Sequence, residues 1–353
     1  MAKPAARLSD VARTAGVSIA TVSRYLNNSL QLPKPTVGRI REAIDALGYQ
    51  PNPHARSLSR GKSDTLGLVV PDITNPYFAR LAAAVEQEAA RQGYGLTLCA
   101  SLNTQARERE YLSRLSRMAV DGVIFVTNHA DDGGLAEPIA ASSRRIVILD
   151  EDVAGVRASK VFSDNAQGGY LAGRHLLDMG HRRIAFFGGP EAMRSTQARL
   201  AGVRRAIAES GAAAEITDVY CGEYSPEHGR ACAERLMATR SAATALLVTS
   251  DQIMIGALEI FRRAGLRIPQ RLSVIGFDDI APFILFDPPL TSIRQPVEAM
   301  GRRAVDLLVR GLRGEDVDDV VEHLPVELVL RESVSRTQAE PSQKIRPSQG
   351  DMT

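Results

Sequence analysis

The sequence predicts an α + α/β protein: an N-terminal module of three short helices, a brief hinge helix, and a two-lobed α/β core. Three observations carry that expectation. Positive charge concentrates in the first 62 residues, helix-period apolar positions fill residues 8–47, and beyond residue 63 apolar β-rich runs alternate with helical stretches.

The chain has 353 residues, more than one average domain, with 44% hydrophobic and 24% charged residues, the balance of an ordinary folded protein. Its formal charge of +2 hides an uneven distribution. Residues 1–62 hold 10 Lys/Arg against 3 Asp/Glu, a net of +7, and the remainder holds 33 against 38, a net of −5. A basic unit of this kind is either a solvated tail or a module that neutralises phosphates.

Within the basic unit, Leu8, Val11, Ala12 and Ala15 follow the one-sided i, i+3, i+4, i+7 spacing, and Gly16 stops the helix. Ser18 caps a second helix running to Asn27, in which Val22 and Leu26 point inward. Val37, Ile40, Ile44 and Leu47 form a third inward stripe ended by Gly48. The two prolines and Gly38 in LPKPTVGRI leave the start of this third helix open.

A helix, a Gly-containing turn and a capped second helix make a helix-turn-helix, whose second helix can enter a major groove. With Val22 and Leu26 inward, Ile19, Ala20, Ser23 and Arg24 lie on the outer face. Arg24 can donate two hydrogen bonds to a guanine edge, while Ile19 and Ala20 can meet thymine methyls. Ser18, Thr21 and Asn27 suit phosphate oxygens. The alternative is a purely structural three-helix bundle. One such module covers a few base pairs, so a homodimer on pseudo-palindromic double-stranded operator DNA is expected.

The stretch LSDVARTAGVSIATVSRYLNN, followed by ALGYQPNPHARSLSRG, resembles the lactose/galactose repressor family, and the resemblance continues to about Arg336. The family pattern S-x-x-T-V-S-R-x-L-N stands here at Ser18 to Asn27, which puts Ile19, Ala20 and Arg24 on its base-reading positions. What the resemblance implies is a transcription regulator, a repressor of carbohydrate-utilisation genes, controlled allosterically by a small effector such as a sugar or sugar acid. It also implies a core similar to periplasmic sugar-binding proteins, two lobes joined by three crossing strands with the ligand between them.

Residues 49–62, YQPNPHARSLSRGK, are either a flexible tether or a short helix with Asn52 as cap and Pro53 as first residue. So short a helix is marginal alone in water. By the resemblance this is the hinge helix, and Leu58 matches a leucine that wedges into the minor groove, with Asn52, Ala55 and Arg56 along the same groove.

From Thr65 onward, TLGLVV, GLTLCA, VDGVIFV, RRIVILD, RRIAFFGG, TALLVT and LSVIGF read as buried parallel strands separated by helices. The expected division is a helix-turn-helix domain at 1–48, a hinge at 49–62, a core at 63–336 and a disordered tail at 337–353. Within the core, the first lobe is placed at 63–161 plus 294–322 and the second at 162–293 plus 323–336. Ligands of open α/β sheets sit at the carboxyl ends of strands, where loops converge. The polar residues just after the apolar runs are Asn75, Tyr77 and Phe78, then Asp164, Ser195, Arg199, Tyr224, Asp251, Asp278 and Gln295. Each also matches a family ligand position. Carboxylates, an arginine and aromatic faces suit a polyhydroxylated ligand. Taken singly, Asp164 and Asp278 can instead be helix caps, and Arg199 can pair with a surface carboxylate. Ser250 stands where the family commonly has Asn.

An enzyme is the main rival reading, but no G-x-S-x-G, P-loop or H-E-x-x-H motif is present, and Gly188-Gly189-Pro190 lacks dinucleotide-binding spacing. His54, His129, His175, His181, His228 and His323 show no metal-ligand spacing, so no metal or cofactor is expected. Cys99, Cys221 and Cys232 form no CxxC pair and are expected as buried small side chains. The second rival is a transport protein, which calls for an export signal. No signal-like leader and no run of about 18 apolar residues occurs, so a cytoplasmic protein without a membrane partner is expected. The tail carries no leucine heptad, which favours a dimer over a higher assembly.

Overall fold

The fold comes from a computed structural model, which describes residues 6–26, 31–49, 62–117, 120–129 and 133–337. Asn27, Asn52, His54, Ala55, Arg56 and Leu58 fall outside the described residues, as do nearly all of the hinge and the tail beyond residue 337.

The N-terminal module is α1 (Leu8–Ala15), α2 (Ile19–Leu26) and α3 (Lys34–Leu47). Gly16 ends α1 in the left-handed region at φ 62°, where its N–H reaches the Ala12 and Arg13 carbonyls. Helix α3 starts directly after Pro33, so Pro35 sits in the first turn, where a missing N–H costs nothing. Val11, Ala12, Ala15, Val22, Ile40 and Ala43 form its core. One expected core position is corrected: Leu47 is 37% exposed, and the smaller Ala43, one turn before it, is the buried residue.

The core holds two six-stranded sheets. Strands β1 (Thr65–Val70), β2 (Gly95–Ala100), β3 (Gly122–Val126), β4 (Arg145–Leu149), β5 (Ser159–Ser163) and β11 (Val321–Leu324) form the first, in the order β11-β5-β4-β3-β1-β2. The second contains β6 (Arg183–Gly188), β7 (Glu215–Cys221), β8 (Ala245–Val248), β9 (Ser273–Phe277), β10 (Thr291–Arg294) and β12 (Glu327–Val329), ordered β12-β10-β9-β8-β6-β7. All pairings are parallel except β10 with β12. Helices α4 (Pro76–Arg91) and α11 (Val297–Leu312) cover one face of the first sheet, and α5 (Gln105–Arg117) with α6 (Ala136–Ala140) cover the other. Helices α7 (Asn165–Asp178) and α8 (Arg194–Ser210) pack on one face of the second sheet, with α9 (Pro226–Ala238) and α10 (Asp251–Arg263) on the other. Sheets covered on both faces require continuous apolar strands, and β3, β8 and β9 are buried throughout.

The chain passes between the sheets three times, at Asp164, at Gln295–Pro296 and at Pro325–Val326. The seven apolar runs all become strands. Five further strands, β5, β7, β10, β11 and β12, carry more polar side chains because they lie at sheet edges or at the crossings. Of the cysteines, Cys232 is buried whereas Cys99 and Cys221 are half-buried.

Candidate functional site

On the N-terminal module, Ser18 Oγ accepts the Thr21 N–H at 3.1 Å and lies 2.8 Å from the Thr21 hydroxyl, capping α2. Val22 is buried against α1 and α3, which leaves Ile19 52% exposed and Ala20 and Arg24 exposed beside it. Ser23 and Thr21 are half-buried at the edge of that face. An isoleucine held in water on a short, basic, capped helix is unusual for a structural bundle and apt for groove contact.

The second site lies between the two sheets. Of the ten residues singled out there, nine line one cavity of about 50 Å³: Asn75, Tyr77, Phe78, Ser195, Arg199, Tyr224, Asp251, Asp278 and Gln295. That is several times the roughly 10–15 Å³ that admits one water. Asp164 lines the adjoining cavity, which shares Asp150, Glu151 and Ser195 with this one. Its carboxylate caps α7 by accepting the Gln167 N–H at 2.9 Å, the alternative role open to an Asp between strand and helix.

Each wall is built by a strand end. After β1, Asn75 caps α4 through the Tyr77 N–H at 2.8 Å and shares the cavity wall with Asp251. The Tyr77 hydroxyl donates to Asp150 at 2.5 Å. Tyr77 and Phe78 meet edge to face with centroids 5.2 Å apart. From the opposite side, Tyr224 reaches the hydroxyls of Thr196 at 3.0 Å and Ser195 at 3.3 Å. After β9, Asp278 sits at φ 77°, accepting the Asp251 N–H at 3.0 Å and the Gln295 amide at 2.6 Å.

Arg199 is buried, which removes the surface-pair alternative. Its Nε donates to Asn165 at 2.8 Å, its Nη1 to the Thr249 carbonyl, and its guanidinium lies 4.2 Å from the Phe277 ring centroid. Glycines set its height. A Cβ on Gly169 of α7 would stand 1.9 Å from the Arg199 carbonyl oxygen, and one on Gly202 of α8 would stand 2.1 Å from that of Ala166. Helices α7 and α8 therefore touch backbone to backbone.

Burial pushes the Asp251 carboxyl up to about 7, with the neighbouring Asp278 charge adding to the effect and hydrogen bonds from Gln252 and Asn75 opposing it. Asp150 is pushed up to about 6, again chiefly by burial, while the Tyr77 hydrogen bond and the Arg199 charge pull it down. The Tyr77 and Tyr224 hydroxyls are raised by the same burial. Gln295 lines the cavity, and its Oε1 is buried without a partner.

The cavity also includes Asn128, Asp150, Glu151, Met193, Ser250 and Gln252, which the sequence reading did not select. The signal for three of them was present. Asn128 follows the apolar run of β3, and Asp150 and Glu151 follow that of β4, so the strand-end rule applied to every run would have found them. Ser250 caps α10 through the Ile253 N–H at 3.2 Å. Met193 carries no polar signal. Among the described residues no group of three or more His, Cys, Asp or Glu is placed to hold a metal, and no helix is long and apolar enough to cross a membrane.

A helix-turn-helix carried on a two-lobed α/β core with a polar cleft defines a DNA-binding protein of the regulator class. Comparison with known proteins bears this out. Residues 7–52 match the model of bacterial regulatory proteins of the lacI family, and residues 174–334 match a periplasmic binding protein-like domain. The HTH-type transcriptional repressor PurR of Mannheimia succiniciproducens is 33% identical over 331 residues, covering 94% of this chain and 99% of that one. The solved Lac repressor dimer bound to operator and the anti-inducer ONPF superposes with a TM-score of 0.84 at 27% identity, over 94% of this chain and 99% of that one. A transcriptional regulator CelR–cellobiose complex gives 0.71 at 31% identity, over 93% and 99%. The chain belongs to the lacI family of bacterial regulatory proteins. It is a DNA-binding transcription regulator of the repressor type and not an enzyme.

Proposed function

We propose that this regulator represses genes of carbohydrate utilisation and that a sugar or sugar derivative bound between its lobes sets its grip on operator DNA. The observation that carries the reading is the convergence of residues from eight separate strand ends on one cavity, whose lining includes Gln295 with its unpaired buried Oε1. Hydroxyl donors of a polyol complement such acceptors, and Tyr77, Phe78 and Tyr224 offer ring faces to C–H groups. Two structural relatives point the same way, since one is a cellobiose complex and another holds ribose. A flat nucleobase is the competing ligand for aromatic walls of this kind.

On the DNA side, Ile19, Ala20 and Arg24 would read bases, with Ser18, Thr21, Ser23 and Asn27 near the backbone. The hinge residues Asn52, Ala55, Arg56 and Leu58 would follow the minor groove. The domain division given above belongs to the same reading, with the lobe bounds moved from 161, 293 and 322 to the three crossings at Asp164, Gln295–Pro296 and Pro325–Val326, because β5 and β11 run on to Ser163 and Leu324 and β10 to Arg294. A second copy of the chain is the natural occupant of the apolar patch formed by Ile255, Ile284, Leu285 and Phe286, where Leu285 is 84% exposed. The supporting observation is the dimeric state of the Lac repressor it superposes on.

The test is operator affinity at fixed salt, measured with and without neutral sugars, sugar acids and nucleobases. A change confined to one sugar class is expected. A response only to nucleobases, or to nothing, overturns the carbohydrate reading.

A further inference from the structure

The end of helix α8 that faces the cleft is where an anion would be expected. Its first N–H groups have no intrahelical acceptor, and Met193 at the cap offers none from its side chain. The chain fills that end itself. Glu151, only 4% exposed, accepts the Arg194 N–H at 3.1 Å and the Ser195 N–H at 3.2 Å. Glu151 follows β4 of the first sheet, whereas α8 follows β6 of the second, so this carboxylate reaches across the interlobe boundary. The next residue repeats the contact, because Asp152 pairs with Lys160 at 2.6 Å on its own side and with Arg194 at 2.8 Å on the other.

Two independent features say what this leaves for a ligand. Gln295 Oε1 is an unpartnered buried acceptor on a residue 2% exposed, and Gln295 lines the same cavity as Asp150, Asp251 and Asp278. The one guanidinium there, Arg199, already donates to Asn165 and Thr249. The cavity thus sets one guanidinium, two of whose nitrogens already donate within the fold, against the four carboxyl groups of Asp150, Glu151, Asp251 and Asp278, so acceptors are in excess.

We propose that Glu151 is a resident substitute for an effector's anionic group, so that the cleft takes uncharged or cationic hydrogen-bond donors and rejects carboxylates and phosphates. The proposal rests on reading the cleft as the effector site, and it narrows that reading by removing sugar acids and sugar phosphates. A ligand carboxylate would need to displace Glu151 from two N–H groups and would leave it buried beside a like charge.

The test uses the full chain and probes that need no knowledge of the natural effector: inorganic phosphate, gluconate, and neutral glucitol as the matched polyol. Binding is followed by calorimetry and thermal shift in the wild type and in Glu151→Ala. The basic N-terminal module is identical in both, so phosphate held there cancels in the comparison. Phosphate or gluconate is expected to bind Glu151→Ala at least about tenfold tighter than the wild type, with the glucitol response changed far less. Equal anion affinity in both proteins overturns the proposal, as does saturable gluconate binding by the wild type. Should Glu151→Ala fail to fold, Glu151→Gln keeps the volume and removes the charge, and the same gain is expected of it. A panel in which no neutral ligand alters operator affinity would overturn the effector reading, whereas the anion comparison between wild type and variant reports on Glu151 alone.

Discussion

Replacing Asp251 with Asn should change how stability depends on pH, and the structure sets both the sign and the size. The Asp251 carboxyl is pushed up to about 7 in the folded chain, from an ordinary value of 3.8, chiefly by burial and then by Asp278. The folded state therefore holds this proton more tightly than the unfolded chain does. Such a group costs no stability while protonated in the fold, and its cost grows as pH rises from the unfolded value toward the folded one. Between pH 5 and pH 8 the unfolded carboxyl is already ionised, so roughly two pH units of unequal proton binding remain, worth about 3 kcal/mol at about 1.4 kcal/mol per unit. His175 and His181, whose imidazoles burial holds below the ordinary value, work in the opposite direction near pH 6.5. The informative quantity is accordingly the wild type minus Asp251→Asn difference, in which the histidines cancel. Urea unfolding followed by far-UV circular dichroism at fixed protein concentration measures it. The wild type should lose about 3 kcal/mol relative to the variant on going from pH 5 to pH 8. A difference that is flat, or that rises with pH, would refute the assignment of Asp251 as a desolvated carboxyl.

Other expectations follow from single contacts. Arg24→Ala should weaken specific operator binding by about 1 to 3 kcal/mol per half-site and relax one base preference, with random DNA affected far less; an equal loss on both DNAs would make Arg24 a phosphate contact. Arg199→Ala strips donors from Asn165 and the Thr249 carbonyl and uncovers Phe277, so about 2 to 4 kcal/mol of stability should go along with the effector response. A denaturation midpoint equal to wild type would contradict that dual role. Gly169→Ala forces a methyl to within 1.9 Å of the Arg199 carbonyl oxygen and should separate α7 from α8, visible as a lower Tm and weakened effector binding. Leu285→Asp should shift the protein toward monomer in analytical ultracentrifugation, and an unchanged dimer would move the interface elsewhere.

What could be read from the sequence was whatever a local period or a strand end announces. The three N-terminal helices were legible because Gly16, Ser18 and Gly48 punctuate them, and the central strands because burial on both faces demands unbroken apolar runs. Strands such as β7, EITDVYC, were not, since an edge strand half open to solvent keeps polar residues and loses the signal. Leu47 misled for a related reason: its spacing fits the stripe, but α3 ends there, and the last turn projects beyond the small core. In the cleft, nine residues were found by the strand-end rule, and Asp164 shows its limit. A polar residue between strand and helix can cap the helix, line a cavity or, like Asn75, do both, and only the packed geometry says which. Glu151 illustrates the converse, because the helix end it caps lies more than 40 residues away in sequence, beyond any local pattern.

The route from cleft to DNA is short in this fold. Strand β1 is buried along nearly its whole length and joins the two ends of the problem. At its start, the Asp121 carboxylate accepts the Ser63 N–H at 2.7 Å and the Asp64 N–H at 2.9 Å, pinning the point where the hinge enters the core. Beyond its end stand Asn75, Tyr77 and Phe78 in the cavity wall. Six residues of strand span about 20 Å at roughly 3.3 Å per residue. On the proposed reading, a buried strand so placed would carry a reorientation of the first lobe to Ser63. The polar contacts that bridge the lobes are Glu151 to the start of α8 and Asp152 to Arg194. A ligand shifts the balance only by its preference for one lobe arrangement over the other, about 1.4 kcal/mol for each tenfold change in operator affinity. One or two hydrogen bonds made in the closed cleft and lost in the open one suffice for such a change. On the proposed reading, the polar bridges between the lobes are where effector chemistry would become DNA affinity.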